Sequence, residues 1–271
     1  GADDYGCCDD KIRIGYVQRY EFKYKKIPIG GPRYIKWGNW VPKGNKVTGE
    51  YLYDELGRLP LDISSDGNRI AVGGGANGFV SVYDWDISTM AWEKVERLSF
   101  DCKGWMDCVC NLSCIQKNVK GVFNHPTFGQ ESIHLSSNGN ILAVGDSAFD
   151  KKRKPTTGRN SSNNGAIYFY MYQNGKFVEF AETLVGSKGS YYGWRFAMSD
   201  DGNIVVVGEY GPDLVRIWKK SKKLNKFFSY QVIPDLRLEN VSISKNGKKL
   251  TIFEKASKEN RESRISLYTL S

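Results

Sequence analysis

Ser64-Ser65-Asp66-Gly67-Asn68-Arg69-Ile70-Ala71-Val72-Gly73 returns along this chain. The second copy is Ser136-Ser137-Asn138-Gly139-Asn140-Ile141-Leu142-Ala143-Val144-Gly145, and the third is Ser199-Asp200-Asp201-Gly202-Asn203-Ile204-Val205-Val206-Val207-Gly208. A worn fourth copy is Ser244-Lys245-Asn246-Gly247-Lys248-Lys249-Leu250-Thr251-Ile252-Phe253. Each joins an Asp-Gly or Asn-Gly dipeptide to a short apolar run rich in Val and Ile. Such dipeptides supply the positive φ angles of a tight hairpin. The run is too short for a helix, so it reads as a buried strand.

The flanks repeat as well. Upstream of each copy lies a short strand-like segment, at 59–64, 132–136, 194–199 and 238–244. Downstream comes Gly15-Tyr16-Val17-Gln18-Arg19-Tyr20, matched by Gly78-Phe79-Val80-Ser81-Val82-Tyr83 and Gly165-Ala166-Ile167-Tyr168-Phe169-Tyr170, with weaker forms at 213–218 and 263–268. β-branched and aromatic residues dominate these segments and favour strands. A further strand follows at 33–40, 91–100, 176–185 and 226–233. One unit is therefore four antiparallel strands, and the units recur about every 45 to 72 residues. That pattern predicts an all-β β-propeller of four-stranded antiparallel blades. No segment sustains a 3.6-residue apolar period, so almost no helix is expected. The N-terminal piece supplies a third and a fourth strand, and the C-terminal unit stops after its third. Five blades is the preferred closure. In the four-blade alternative, residues 33–40 complete the last blade. Residues 1–11 read as a Cys-bearing N-terminal tail. Residues 12–271 read as a single propeller domain with insertions at 101–127 and 147–164.

The order Phe-Gly, Ser-x-[Asp/Asn]-Gly-Asn, Ala-Val-Gly, Gly-x-[Val/Ile]-x-x-Tyr resembles the FG-GAP repeat of integrin-α-like propellers. The Phe-Gly element stands as Leu56-Gly57 and Phe128-Gly129, and Gly193 keeps the glycine. The resemblance covers residues 12–271 apart from the insertions. It implies a propeller that binds or scaffolds, usually outside the cell, and without catalysis. Members of that family often hold Ca²⁺ on an Asp-x-Asp-x-Asp-Gly hairpin, because a hard cation needs several converging oxygens. The hairpins here carry at most two carboxylates, and the last carries lysines. The calcium site is therefore not carried over, and no metal or cofactor is expected.

Composition narrows the setting. The chain has 271 residues, 40% of them apolar, and a net charge of +9. It is long enough for a full core. No apolar run reaches the 18 residues of a spanning helix. The positive balance fits either a plain basic surface or attraction to acidic polysaccharide, nucleic acid or anionic membrane. The six cysteines are clustered: Cys7 and Cys8, then Cys102, Cys108, Cys110 and Cys114. An even count in polar loops points to disulfides and an oxidising compartment. Four cysteines in the insertion fit no common zinc spacing. Sequons at Asn111, Asn160 and Asn240 fit secretion and glycosylation. The opening Gly1-Ala2-Asp3-Asp4 is what a processed or a truncated chain shows.

Catalytic patterns are sparse. His134 lies between Ile133 and Leu135 and reads as a packed histidine, while His125 precedes Pro126 in a loop. Neither has a nucleophile at a motif spacing. Trp40, Trp105, Trp194 and the Tyr191-Tyr192 pair fall near turns, where they pack blades or stack on sugar rings. Alternating strand direction puts fourth-to-first and second-to-third loops on one face and the Asp-Gly hairpins on the other. The loop face carries Lys151, Lys152, Arg153, Lys154 and Arg159 in one insertion and Lys255, Lys258, Arg261 and Arg264 in another loop. Loops on a repeat scaffold usually carry function. The expectation is a non-enzymatic extracellular or cell-surface propeller for adhesion, matrix or surface assembly. It would bind protein or acidic polysaccharide through this basic face, as part of a larger assembly, with nucleic acid disfavoured. The alternatives are a carbohydrate-active enzyme or lectin domain, and an intracellular interaction propeller.

Overall fold

The structure, a computed structural model, describes residues 14–50, 54–58, 60–75, 78–99, 127–149, 162–236, 238–255 and 262–270. Among these residues there are strands and turns and no α-helix. The chain begins with β1 (Tyr16–Val17), β2 (Tyr20–Gly30), β3 (Arg33–Pro42) and β4 (Val47–Thr48), which pair as β1-β4 and β2-β3. Blade 1 is β5 (Leu61–Ile63), β6 (Arg69–Gly73), β7 (Phe79–Asp86) and β8 (Ala91–Ser99), hydrogen-bonded in that order. Blade 2 is β9 (Ile133–Leu135), β10 (Ile141–Asp146), β11 (Ala166–Gln173) and β12 (Lys176–Glu179), with β13 (Leu184–Val185) returning to pair with the start of β11. Blade 3 is β14 (Phe196–Met198), β15 (Ile204–Glu209), β16 (Leu214–Lys220) and β17 (Phe227–Ile233). Blade 4 has three strands, β18 (Leu238–Ile243), β19 (Lys249–Glu254) and β20 (Arg264–Thr269).

The fold is thus an all-β propeller with four blades, the alternative count, and the preference for five is corrected. β1 to β4 form no fifth complete blade among the described residues. Nor does β3 complete the last blade, because among the described residues its strand partner is β2 alone and the sheet of the last blade ends at β20. The N-terminal piece is instead the outer half of a blade. Val17 pairs with Val47 as Ile167 pairs with Leu184. Isolated parallel bridges Gly15↔Leu56 and Gly165↔Tyr192 complete the match.

The hairpin of the repeated stretch is built four times on one plan. The Ser64, Ser136, Ser199 and Ser244 hydroxyls each donate to the Asp or Asn two residues on, at 2.6–2.8 Å. The same hydroxyls accept the N–H of Arg69, Ile141, Ile204 and Lys249 at 2.9–3.0 Å. The glycine that follows sits at φ near +70° in all four, while the Asp or Asn does not have positive φ. Only one left-handed residue per turn is therefore needed, and glycine provides it. In Asp66 these bonds, led by the Ser64 hydroxyl, hold the carboxyl below its ordinary value. The turns are also chained from blade to blade. The N–H groups of Ser65, Ser137 and Asp200 donate to the carbonyls of Ser137, Asp200 and Lys245 at 2.8, 2.7 and 3.0 Å.

The core lies between blades. The second strands β6, β10 and β15 are buried on both sides, with Val72, Ala71, Leu142, Val144, Val205 and Val207 all at 0% exposure. Burial on both faces explains why these runs are continuously apolar and do not alternate. Blade 1 meets blade 2 through Val80, Val82, Ile133 and Leu135. Blade 2 meets blade 3 through Phe169, Leu184, Phe196 and Val207, and blade 3 meets blade 4 through Ile217, Leu236, Leu250 and Ile252.

Candidate binding cleft

The blade contacts are sealed by glycine at two interfaces and not at the third. A Cβ on Gly73 would overlap the Gly129 carbonyl oxygen, and one on Gly145 would overlap that of Gly193. Gly129 and Gly193 have φ of +69° and +87°, so they wedge backbone between blades where a side chain has no room. The corresponding place in blade 4 follows Leu236, whose N–H donates to Asp213 O much as that of Tyr192 donates to Asn164 O. Residue 237 there is arginine, not glycine. The neighbour of Gly208 is consequently the Leu238 side chain rather than a carbonyl.

A cleft opens at this third interface. Its walls are Tyr191, Trp194, Arg195, Gly208, Tyr210, Leu238 and Glu239. The Trp194 and Tyr210 rings are 4.8 Å apart, and Tyr191 meets both at just over 6 Å. Tyr191 itself has φ of +51°. Arg195 is fixed by donating to Glu239 O and Trp194 O. Residues 186–195 join blade 2 to blade 3 and residues 210–213 join β15 to β16, so the cleft is on the loop face.

Tyr192, next to Tyr191 in the chain, belongs to a buried polar group. The Tyr192 hydroxyl donates to Glu209, which also takes the Arg216 guanidinium. Burial, and after it the Glu209 charge, pushes the Tyr192 phenol up. Glu254 is bound the same way by Arg264, through two bonds of 2.7 and 2.9 Å. Asp54, fully buried, is held by Arg97, whose guanidinium stacks 3.4 Å from the Phe79 ring. Beside Arg195, the Glu131 carboxyl is pushed up, chiefly by burial, while Ser147 and Arg195 act the other way. Its Oε2 has no hydrogen-bond partner among the described residues.

Of the basic residues anticipated from sequence, Lys255 and Arg264 can be placed. Lys255 lies 3.9 Å from Glu239 at the cleft, and Arg264 is committed to Glu254. Lys151, Lys152, Arg153, Lys154, Arg159, Lys258 and Arg261 lie outside the described residues, as do all six cysteines, Asn111 and Asn160. Asn240 is exposed in β18. The His134 Nε2–H donates to Phe196 O over 2.8 Å, with its other ring nitrogen 3.8 Å from Asp62. It thereby links the inner strands of blades 1, 2 and 3. Trp194 and the Tyr191-Tyr192 pair were visible as aromatics near turns. Tyr210, Arg195 and Glu239 were missed, and only the absent glycine at residue 237 signalled the gap they line.

Neither a protein-family model nor a curated protein sequence matches this chain. Solved structures do. The complex of KlAtg21 with the coiled-coil of AgAtg16 matches with a TM-score of 0.51 at 12% identity, over 86% of this chain and 56% of that one. The β-propeller domain of Myceliophteria thermophila Cps50 (Swd1) matches with a TM-score of 0.48 at 11% identity, over 84% and 59%. The Pseudomonas aeruginosa periplasmic gluconolactonase PpgL matches with a TM-score of 0.42 at 15% identity, over 70% and 42%. The chain spans roughly half the length of these proteins. At these identities the likeness concerns the fold. The expectation that the chain is not an enzyme is corrected by the last match, because a named enzyme is among the similar structures. A blade scaffold leaves its loop face free for chemistry, so architecture does not decide against catalysis.

Proposed function

We propose that this chain is an interaction propeller that recognises an acidic glycan on its loop face, in the cleft between blades 3 and 4. The observation that carries this reading is the open set of three rings, Tyr191, Trp194 and Tyr210, beside the anchored guanidinium of Arg195. Aromatic faces pack on the apolar face of a sugar ring, and a guanidinium forks onto a carboxylate or sulfate. The FG-GAP-like repeat and the exposed sequon residue Asn240 support a role outside the cell, in adhesion or surface assembly. Titration with uronic-acid and sulfated oligosaccharides tests the proposal. Binding should weaken with salt. It should fall about thirtyfold in Trp194→Ala, as for a loss of about 2 kcal/mol at an aromatic hot spot. Unchanged affinity in Trp194→Ala, or no binding to any acidic oligosaccharide, overturns it.

A second reading is sugar hydrolysis beside the same cleft. Glu131, near the cleft residue Arg195, favours it, since burial raises its carboxyl and so makes it a readier proton donor to a leaving group. In that case Glu131→Gln abolishes turnover and leaves oligosaccharide affinity within about threefold.

A further inference from the structure

On the other side of the disc, the β2–β3 ribbon is longer than its place in the repeat requires. Gly15 opens the third strand of its half-blade as Gly78 does in blade 1, yet β7 turns after Asp86 whereas β2 runs to Gly30. The ribbon therefore overshoots by roughly seven residues, or about 23 Å at the rise of a strand. Third-to-fourth turns lie beside the Ser-x-[Asp/Asn]-Gly hairpins: Trp85 N–H donates to Asn68 O and Tyr172 N–H to Asn140 O. The ribbon base is fixed to blade 1. Arg19 stacks over Trp85 at 4.6 Å and the Lys43 ammonium lies 5.9 Å from the same ring. The tip thus points away from the face that bears the aromatic cleft.

Its chemistry is sorted along its length. The tip is Ile27-Pro28-Ile29-Gly30-Gly31-Pro32, with Ile27 and Ile29 at 41% and 58% exposure. Arg33 and exposed Tyr34 stand at tip level, opposite Gly30 and Pro28; below them come the Ile27–Ile35 pair, the Lys26–Lys36 pair, Lys25 opposite exposed Trp37, and then exposed Tyr24. No Asp or Glu occurs from residue 22 to residue 49. Lys26 and Lys36 are direct cross-strand partners. Like charges so placed repel. Each folds over a ring of the ribbon, Tyr34 at 4.5 Å and Tyr24 at 4.9 Å. An anion set between the two ammonium groups would relieve that repulsion. On the same side of the disc, the 221–226 turn presents exposed Leu224 among Lys222, Lys223 and Lys226.

We infer that the β2–β3 ribbon is a membrane-docking hairpin for an anionic lipid surface. The isoleucines of the tip, Ile27, Ile29 and Ile35, enter the acyl boundary, the Lys25, Lys26 and Lys36 collar meets lipid phosphates, and Trp37 and Tyr24 lie at headgroup depth. An isoleucine-rich tip above a lysine collar, with exposed aromatics at and below that collar, matches the layers of a bilayer interface. A soluble polyanion matches only the collar. The propeller would then stand on the membrane with its cleft turned outward.

Flotation of the full chain with phosphatidylcholine vesicles, with and without phosphatidylserine, tests this. The expected result is binding to the phosphatidylserine vesicles alone, with a blue shift of tryptophan emission. Lys26→Gln/Lys36→Gln should bind about thirtyfold more weakly, about fivefold for each charge near the surface. Ile27→Ser/Ile29→Ser should lose vesicle binding while keeping any binding to heparin or single-stranded nucleic acid. The ribbon packs mainly on itself, so circular dichroism should show both variants folded. Absence of binding to phosphatidylserine vesicles overturns the inference. So does an Ile27→Ser/Ile29→Ser variant that binds vesicles as wild type does, which would mark a polyanion site, and so does ribbon-dependent dimerisation without lipid. The glycan titration of Trp194→Ala is independent of all these arms.

Discussion

The interfaces around blade 2 and the interface between blades 3 and 4 do the same job with different parts. At the first two, Gly129 and Gly193 press a carbonyl onto Gly73 and Gly145, and backbone meets backbone. At the third, Leu238 fills the space with a side chain, and a cleft lined by Arg195, Trp194 and Tyr210 remains. The contrast shows where a repeat scaffold can host a site. Backbone contact leaves no room for a ligand, so the proposed recognition site falls where the repeat has lost its glycine.

The comparison can be broken most forcefully at the glycines. Gly73→Ala and Gly145→Ala should each cost about 3 kcal/mol, the upper end for overpacking, because a carbonyl cannot rotate out of the way. Gly208→Ala meets only the end of the Leu238 side chain and should cost about 1 kcal/mol. Urea unfolding of the three variants measures the difference, and equal losses would mean that the third interface is as rigid as the others.

A smaller effect is expected in the hairpins. Ser136 is buried and its hydroxyl bonds the buried Ile141 N–H, so Ser136→Ala should cost about 1–2 kcal/mol. The same bonds in Ser244 are exposed, and Ser244→Ala should cost about 0.5 kcal/mol or less. Thermal melts of the two variants check whether the worn fourth copy is also the weaker one.

The smallest expected effect concerns pH at the inner strands. Burial lowers the His134 imidazole, with Asp62 opposing. The unfolded chain then binds the proton more readily than the folded one. Stability is full above the ordinary imidazole value and declines as pH falls below about 6.5. His134→Gln should flatten that part of a stability profile measured between pH 5 and 8. An unchanged slope would show that the side chain, 31% exposed, is solvated enough to titrate normally.

Much of this was legible in the chain itself. The Ser-x-[Asp/Asn]-Gly turn is local: a hydroxyl, a side-chain oxygen and one left-handed glycine within six residues close it, so four copies announce four hairpins. The apolar runs after the first three copies announce strands buried on both faces, because no polar residue interrupts them. Blade count was not local. Residues 33–40 read by preference as part of a fifth blade and, as the alternative, as the edge of the last one. Only the pairing of β3 with β2 decided between those uses and a free ribbon. The cleft was not local either. Tyr191, Trp194, Tyr210 and Glu239 come from three separate loops and strands, and they meet because blade 4 lacks the glycine wedge. Local sequence determines a turn or a strand, since its bonds close within a few residues. A site between blades depends on contacts across the disc, and only the packed tertiary structure determines those.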